Sequence, residues 1–295
     1  MTFKEEFDAR FEGVEAVVEK YLPLEEGLQK VVFSASDYSV LNGGKRIRPM
    51  LMQETYQLFD GRSKCIEPFM AAIEYIHCSS LVHDDLPCMD NDEFRRGKKS
   101  TWAQFGEDMG VLAGDALLVY AFETACRAIG LNSGAANVVK AIEVLARKAG
   151  MYGMIGGQTV DVVLTGKELD EDQLNFIYTL KTGALIEASM LIGAILADAS
   201  SEDLESVEAI ASRIGLAFQI QDDILDVTST QEVLGKPIGS DERNEKTTYV
   251  TIFGLEESKK KVAKLTDEAV SLLHSLTGEN LFLEKLIISL ITREY

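Results

Sequence analysis

The sequence predicts an all-α fold, and three observations carry that expectation. Only five prolines occur, at 23, 49, 68, 87 and 237, so the long stretch between Pro87 and Pro237 contains none. That stretch is built largely from good helix formers, with glycines close to the expected helix ends. No segment alternates apolar and polar residues in the sustained way a half-buried strand requires. Hydrophobic residues make up 46% of 295, enough for a packed core and inconsistent with disorder. The expectation is a single domain over 1–295, a bundle of roughly ten or more helices, since helices average about a dozen residues.

Turn signals at Gly43-Gly44, Asp60-Gly61-Arg62, Asn132-Ser133-Gly134 and Gly235-Lys236-Pro237 separate the helices. No low-complexity linker or tandem repeat interrupts them. The helix carrying Asp84 and Asp85 is expected to end at Leu86, because the residue before Pro87 avoids helical geometry. Asp90 and Asp92 would then fold back toward that helix end. Lys140 to Lys148 places Ile142, Leu145 and Ala146 on one stripe. Ser206 to Phe218 repeats Val207, Ile210, Ala211, Ile214 and Phe218 at helical intervals, and Asp222 to Asp226 should continue as helix. The longest apolar run, Ala188 to Ala197, lies between Glu187 and Asp198, too short for a bilayer span.

A net charge of −19 excludes a general nucleic-acid binder and broad attraction to anionic membranes. Cys65, Cys78, Cys88 and Cys126 form no Cys-x-x-Cys pair and suggest neither a disulfide framework nor a zinc site. The opening MTFKEEFDAR has no apolar stretch of the secretory kind. A cytoplasmic protein is expected.

Against that background, two aspartate clusters lie in apolar helical sequence: Asp84, Asp85 and Asp90 in SLVHDDLPCMDND, and Asp222, Asp223 and Asp226 in FQIQDDILD. Carboxylates in such surroundings call for a cationic partner. Asp222 and Asp226 are four apart and Asp223 and Asp226 three apart, so they share one helix face and repel. A hard divalent cation relieves that repulsion, and Mg²⁺ binds through one or two carboxylates plus substrate phosphates. Two basic clusters, Gly43-Gly44-Lys45-Arg46-Ile47-Arg48-Pro49 and Arg95-Arg96-Gly97-Lys98-Lys99, combine cations with glycines that permit close backbone approach to an anion. Known phosphate and metal loops do not fit. The Walker spacing is absent, GMIGG follows no strand, and the twelfth position of an EF-hand begun at Asp90 would be Thr101. Three histidines, His77, His83 and His274, are few for a His-Asp phosphohydrolase.

These motifs, in their order GGKRIRP, IHCSSLVHDDLPCMDNDEFRRGK, AGDALL, GGQTVD, KTGALIEAS, FQIQDDILD and GKPIGSDERNEKTTY, span nearly the whole chain. The sequence resembles the short-chain trans-isoprenyl diphosphate synthases of the farnesyl and geranylgeranyl diphosphate synthase family. The resemblance implies an isoprenoid synthase-like bundle around a deep central cavity, a homodimer, isoprenoid diphosphate substrates and three Mg²⁺ ions. It implies that Asp84, Asp85, Asp90 and Asp222 hold metal, with Asp223 and Asp226 completing the set. Arg95, Lys181, Lys236 and Lys246 would contact the allylic diphosphate. Lys45, Arg48, His77 and Arg96 would hold isopentenyl diphosphate, and Thr182 and Gln219, with Lys181, would line the reacting centre. His83 is read as orienting the helix end.

Two departures from the family pattern stand out, the first in a loop and the second in what sets product length. Val250 stands where the family commonly has proline after KTTY. Ser79 and Ser80, five and four residues before Asp84, are small where many bacterial farnesyl synthases carry an aromatic side chain at the first position. The chain-length pocket is therefore expected at Ser79, Ser80 and Tyr120, with Phe122 as a further candidate and fifteen or twenty carbons both open. A class I terpene cyclase or a noncatalytic partner subunit are the alternatives. The first would carry an Asn/Ser/Glu-type second motif instead of Asp222-Asp223-x-x-Asp226.

Overall fold

Thr2 accepts a hydrogen bond from the Glu5 N–H while Glu5 reaches back to the Thr2 N–H, and this capping box opens helix α1 (Phe3–Lys20). The computed structural model describes residues 2–131, 134–228 and 247–292. Its internal contacts gather into two compact units, Met1–Gln53 with Arg62–Ile142 and Glu54–Gly61 with Glu143–Tyr295. Each carries one aspartate motif.

In the first unit α1 is followed by α2 (Lys30–Leu41), the start of α3 (Ile47–Leu58), α4 (Ile66–Asp84), α5 (Thr101–Phe105), α6 (Glu107–Cys126) and the start of α7 (Ala135–Ala149). Pro49 and Pro68 fall in the first turns of α3 and α4, where a missing N–H costs nothing. Helix α4 is the unit's centre. Nearly every residue from Ile66 to Ile76 is buried, so it reads as apolar all round and has no solvent face to keep polar. Its main partner is α6, with α1 and α2 alongside. Gly114 makes that closeness possible, since a Cβ there would lie 2.1 Å from the His83 ring. His83 Nε2 in turn lies 3.2 Å from the Val111 carbonyl, as expected of a residue that orients the helix end.

The second unit contains α8 (Met154–Leu164), α9 (Glu171–Ile177), a π-helical turn Tyr178–Gly183, α10 (Ala184–Leu196) and α11 (Ser201–Thr228). Three further helices complete it: α12 (Tyr249–Phe253), α13 (Leu255–Ser275) and α14 (Leu281–Ile291). Helix α10 is buried along its whole length, including Glu187, whose charge is met by Lys148. Helix α11 packs against α10 and α13. Val207, Ile210, Ala211 and Ile214 are fully buried, as their spacing predicts.

Four details differ from the sequence-based expectation. Helix α4 stops at Asp84, two residues before Leu86, because the Leu86 N–H already turns back to the His83 carbonyl. On α7 the core stripe is Val138, Ala141, Leu145 and Ala149, with Ala146 exposed, a quarter-turn away from the predicted face. A hairpin pairs Phe94–Arg95 with Lys98–Lys99 through Arg96 and Gly97 at φ 53° and 77°, and two residues per strand are too few to show alternation. Finally, the continuous helical stretches Glu107–Gly130 and Glu171–Leu196 exceed the apolar run read from sequence and reach the length and mean hydropathy of a bilayer crossing, by composition only. The second has 78% of its apolar window buried inside the protein, as a core helix does.

Candidate active site

The first aspartate motif is assembled by backbone turns at the end of α4. The Asp90 N–H donates to the Asp84 carbonyl at 2.8 Å and the Asp92 N–H to the Asp85 carbonyl at 3.1 Å, folding the loop back as expected. Four carboxylates thus gather at a helix C-terminus, where the macrodipole also disfavours negative charge. Asp85 is buried, and Arg95 from the hairpin grips it with Nε and Nη2 at 2.8 and 2.5 Å. Burial still pushes the Asp85 carboxyl above the ordinary carboxylate range, Arg95 pulls it down, and Asp92 and Asp90 add to the rise. Among the described residues no three His, Cys, Asp or Glu side chains converge into a self-sufficient metal cage. Such an array suits an oxygen-seeking cation that takes one or two carboxylates and completes its shell with water and phosphate, which is the habit of Mg²⁺.

The basic motifs of the same unit meet around His77. Lys45 is exposed, while Arg48 on the first turn of α3 has a buried Nε with no hydrogen-bond partner. Burial lowers the Arg48 guanidinium below its ordinary range. The Arg96 Nη1 donates to the Gly43 carbonyl, and burial lowers that group too. Burial and then the nearby Arg48, Arg96, Arg95 and Arg46 charges hold His77 well below the usual imidazole range, so the ring is neutral. Among the described residues Arg48 is the one guanidinium with a buried nitrogen lacking a hydrogen-bond partner, and an anion would complete it.

In the second unit the π turn decides the geometry. One extra residue in the turn re-aims Lys181 and Thr182 away from the path an α-helix would give them. Gly157 on α8 allows the close approach, since a Cβ there would sit 2.2 Å from the Lys181 nitrogen. One turn further along α8, Asp161 meets Lys181 Nζ at 2.6 Å. The Thr182 hydroxyl donates to Gln219 at 2.8 Å, joining two residues named from sequence. Asp161, Tyr178, Lys181, Thr182, Gln219 and Asp223 line a cavity of about 130 Å³. Asp222 is half-buried and Asp226 buried on α11. Asp223 Oδ2 accepts from the Tyr178 hydroxyl at 2.6 Å and from the Tyr249 N–H at 2.8 Å, so it also anchors α12. Lys236 and Lys246 lie outside the described residues.

The expected chain-length residues are placed as follows. Ser79 is buried and donates to the Gly114 carbonyl at 2.8 Å, and the Ser80 hydroxyl turns back to the His77 carbonyl at 2.9 Å. Tyr120 stacks on Tyr75 with ring centroids 5.9 Å apart and donates to the Tyr21 carbonyl at 3.0 Å. Phe122 is half-buried on α6. Sequence inspection assigned no role to Asp161, Tyr178, Arg46 or Glu74. GGQTVD and GGKRIRP pointed to Asp161 and Arg46 only as parts of motifs, and no local pattern marks Tyr178 or Glu74.

A helical fold with aspartates, guanidiniums and a lysine-bearing π turn defines an isoprenyl synthase-like transferase, and the comparisons agree. The family model described as Polyprenyl synthetase matches residues 29–276, and the chain belongs to that family. It is 44% identical over 261 residues to a geranylgeranyl diphosphate synthase of Cyanophora paradoxa, covering 88% of this chain and 86% of that protein. The identity is also 44% to a chloroplastic heterodimeric geranylgeranyl pyrophosphate synthase large subunit 1 of Arabidopsis thaliana, covering 88% and 70%. A solved FPP/GFPP synthase from Zymomonas mobilis superposes with a TM-score of 0.87 at 31% identity, covering 98% of this chain and 99% of that one. A Helicobacter pylori geranyltransferase, solved with magnesium and isoprenyl diphosphate, gives 0.82 at 30% identity, covering 99% and 97%. The activity is that of a short-chain trans-prenyltransferase.

Proposed function

We propose that residues 1–295 act as one catalytic domain that joins isopentenyl diphosphate to an allylic diphosphate, extending it to geranylgeranyl diphosphate with release of diphosphate. The observation that carries this is the pairing within the first unit of two opposite needs. Carboxylates crowd one helix end, and near His77 in the same unit Arg48 keeps a buried, unpaired guanidinium nitrogen. Two diphosphates, one of them bound with a divalent cation at the carboxylates and the other at Arg48, meet both.

In this reading Lys45, Arg48, His77 and Arg96 hold isopentenyl diphosphate, and Arg95, Lys181, Lys236 and Lys246 hold the allylic diphosphate. Asp84, Asp85, Asp90, Asp222, Asp223 and Asp226 are the metal-binding set, with three Mg²⁺ ions expected. Bound Mg²⁺ supplies charge neutralisation to the departing diphosphate. Thr182 and Gln219 present oriented dipoles to the allylic carbon as positive charge develops there. The isopentenyl double bond, held in register by its diphosphate, attacks that carbon. A proton then leaves the new cation for the released diphosphate, so no protein nucleophile is needed.

The twenty-carbon product is favoured by the small side chains of Ser79 and Ser80 and by the names of the relatives. A homodimer is supported by the apolar side chains that α6 exposes, Val111, Leu112 and Val119. Absence of disulfides among the four cysteines suits a cytoplasmic location. The test is a product-length assay with Mg²⁺, isopentenyl diphosphate and dimethylallyl diphosphate, repeated with longer primers. A dominant twenty-carbon product supports the reading, and a fifteen-carbon one overturns its length. Diphosphate release without carbon incorporation would indicate a cyclase. Failure to condense any primer would indicate a noncatalytic subunit, a reading the heterodimeric relatives keep in view.

A further inference from the structure

Arg46 sits between Lys45 and Arg48 and behaves like neither. Its side chain is fully buried. Nε and Nη2 donate to the Glu15 carboxylate at 2.6 and 3.1 Å, and Nη1 donates to Glu74 at 2.8 Å. Nη2 also donates to the Val40 carbonyl at 2.6 Å. The backbone at Arg46 is left-handed, φ 48°, two residues after Gly44 at 136° and three after Gly43 at 86°. A non-glycine residue keeps that conformation only where its surroundings over-determine it. Here the surroundings are two carboxylates brought by α1 and α4.

Packing alone does not call for an arginine at this point, because a well-fitted apolar side chain would avoid burying charge. The guanidinium fork supplies direction. Gripped by Glu15 and pinned by Glu74, its plane is set, and with it the backbone from which Lys45 and Arg48 depart. Glu74 lies three residues before His77 on α4, so the same ion pair ties the turn to the helix face that carries His77. The turn also seats Arg96. Its Nη1 donates to the Gly43 carbonyl, and a Cβ on Gly44 would fall 2.8 Å from that guanidinium.

We propose that Arg46, clamped by Glu15 and Glu74, is a positioning residue that sets the isopentenyl diphosphate cations against His77 without touching substrate. This role presupposes the isopentenyl diphosphate assignment of Lys45, Arg48 and His77 made above. The test is steady-state kinetics of Arg46→Lys and Glu15→Gln with each substrate varied in turn. Arg46→Lys keeps the charge and loses the fork. It should raise KM for isopentenyl diphosphate about 10-fold or more and leave KM for the allylic substrate within about 2-fold. Glu15→Gln, changed at a half-exposed position, should move the same constant the same way by about 3-fold, and it decides alone if Arg46→Lys does not fold. A purely structural clamp would lower the active fraction and leave both KM values unchanged, and that result overturns the proposal. Arg48→Ala separates the two levels. An unchanged KM for isopentenyl diphosphate in that variant sinks the site assignment. A raised value there with unchanged clamp variants sinks only the clamp.

Discussion

Asp84 and Asp222 differ from neighbouring carboxylates in being neither fully buried nor fully exposed. Asp84→Ala and Asp222→Ala are each expected to lower kcat by about 10²-fold or more, the scale of losing one transition-state electrostatic contact. Turnover near wild type in both variants, measured at saturating Mg²⁺, would remove the metal role. Asp37 on α2 has a different story, since its Oδ1 is buried without a partner and burial pushes its carboxyl from 3.8 up to about 6, with Glu25 adding to the rise. The folded chain then holds this proton more tightly than the unfolded chain between pH 3.8 and about 6, so stability falls as pH rises through that window. Asp37→Asn should therefore raise the melting midpoint at pH 7.5, with most of the gain gone near pH 3.5, where the wild-type carboxyl is neutral in the folded state and mostly so in the unfolded one. An equal gain at both pH values would assign the effect to packing instead.

At the scale of elements, the second unit depends on one close crossing. A Cβ at Gly215 on α11 would lie 2.7 Å from the Gly183 Cα at the end of the π turn, a backbone atom that cannot swing aside. The Thr182–Gln219 hydrogen bond bridges the same pair of segments one turn away. Gly215→Ala should cost about 1–3 kcal/mol of unfolding free energy, as overpacking does. It should also lower kcat, because separating the segments pulls Thr182 from Gln219. Denaturant unfolding and turnover on one preparation check both, and wild-type values would mean the crossing relaxes freely. Little of this was legible beforehand. KTG and FQIQDD could be placed on helices, but the π turn at Tyr178–Gly183 packs where Gly157 of α8 closely approaches Lys181, a contact between residues far apart in sequence.

For the whole molecule, an acidic chain with a net charge of −19 nevertheless gathers arginines around one histidine. The crowded carboxylates of the first motif suit a divalent cation, and the buried, unpaired Arg48 nitrogen suits a diphosphate. Mg²⁺ and inorganic diphosphate together should raise the melting midpoint. The stabilisation approaches about 2.7 kcal/mol when free ligand reaches about 100 times its Kd. Each alone should shift it less, and a combined shift no greater than the larger single one would contradict a shared site.

Several features were determined by sequence alone because they depend on short-range periodicity and composition. These are the helical class, the burial of Val207, Ile210, Ala211 and Ile214, and the loop folding Asp90 back to Asp84. Ala146 shows the limit even there, since a stripe read from a short helical segment can point a quarter-turn off the core. Only the tertiary structure decided which charges are spent and which remain. Arg46 and Arg48 are two residues apart in one motif, yet α1 and α4 bring Glu15 and Glu74 to the first and leave a buried nitrogen of the second without a partner. No local pattern distinguishes them, because the difference is made by carboxylates tens of residues away in the chain.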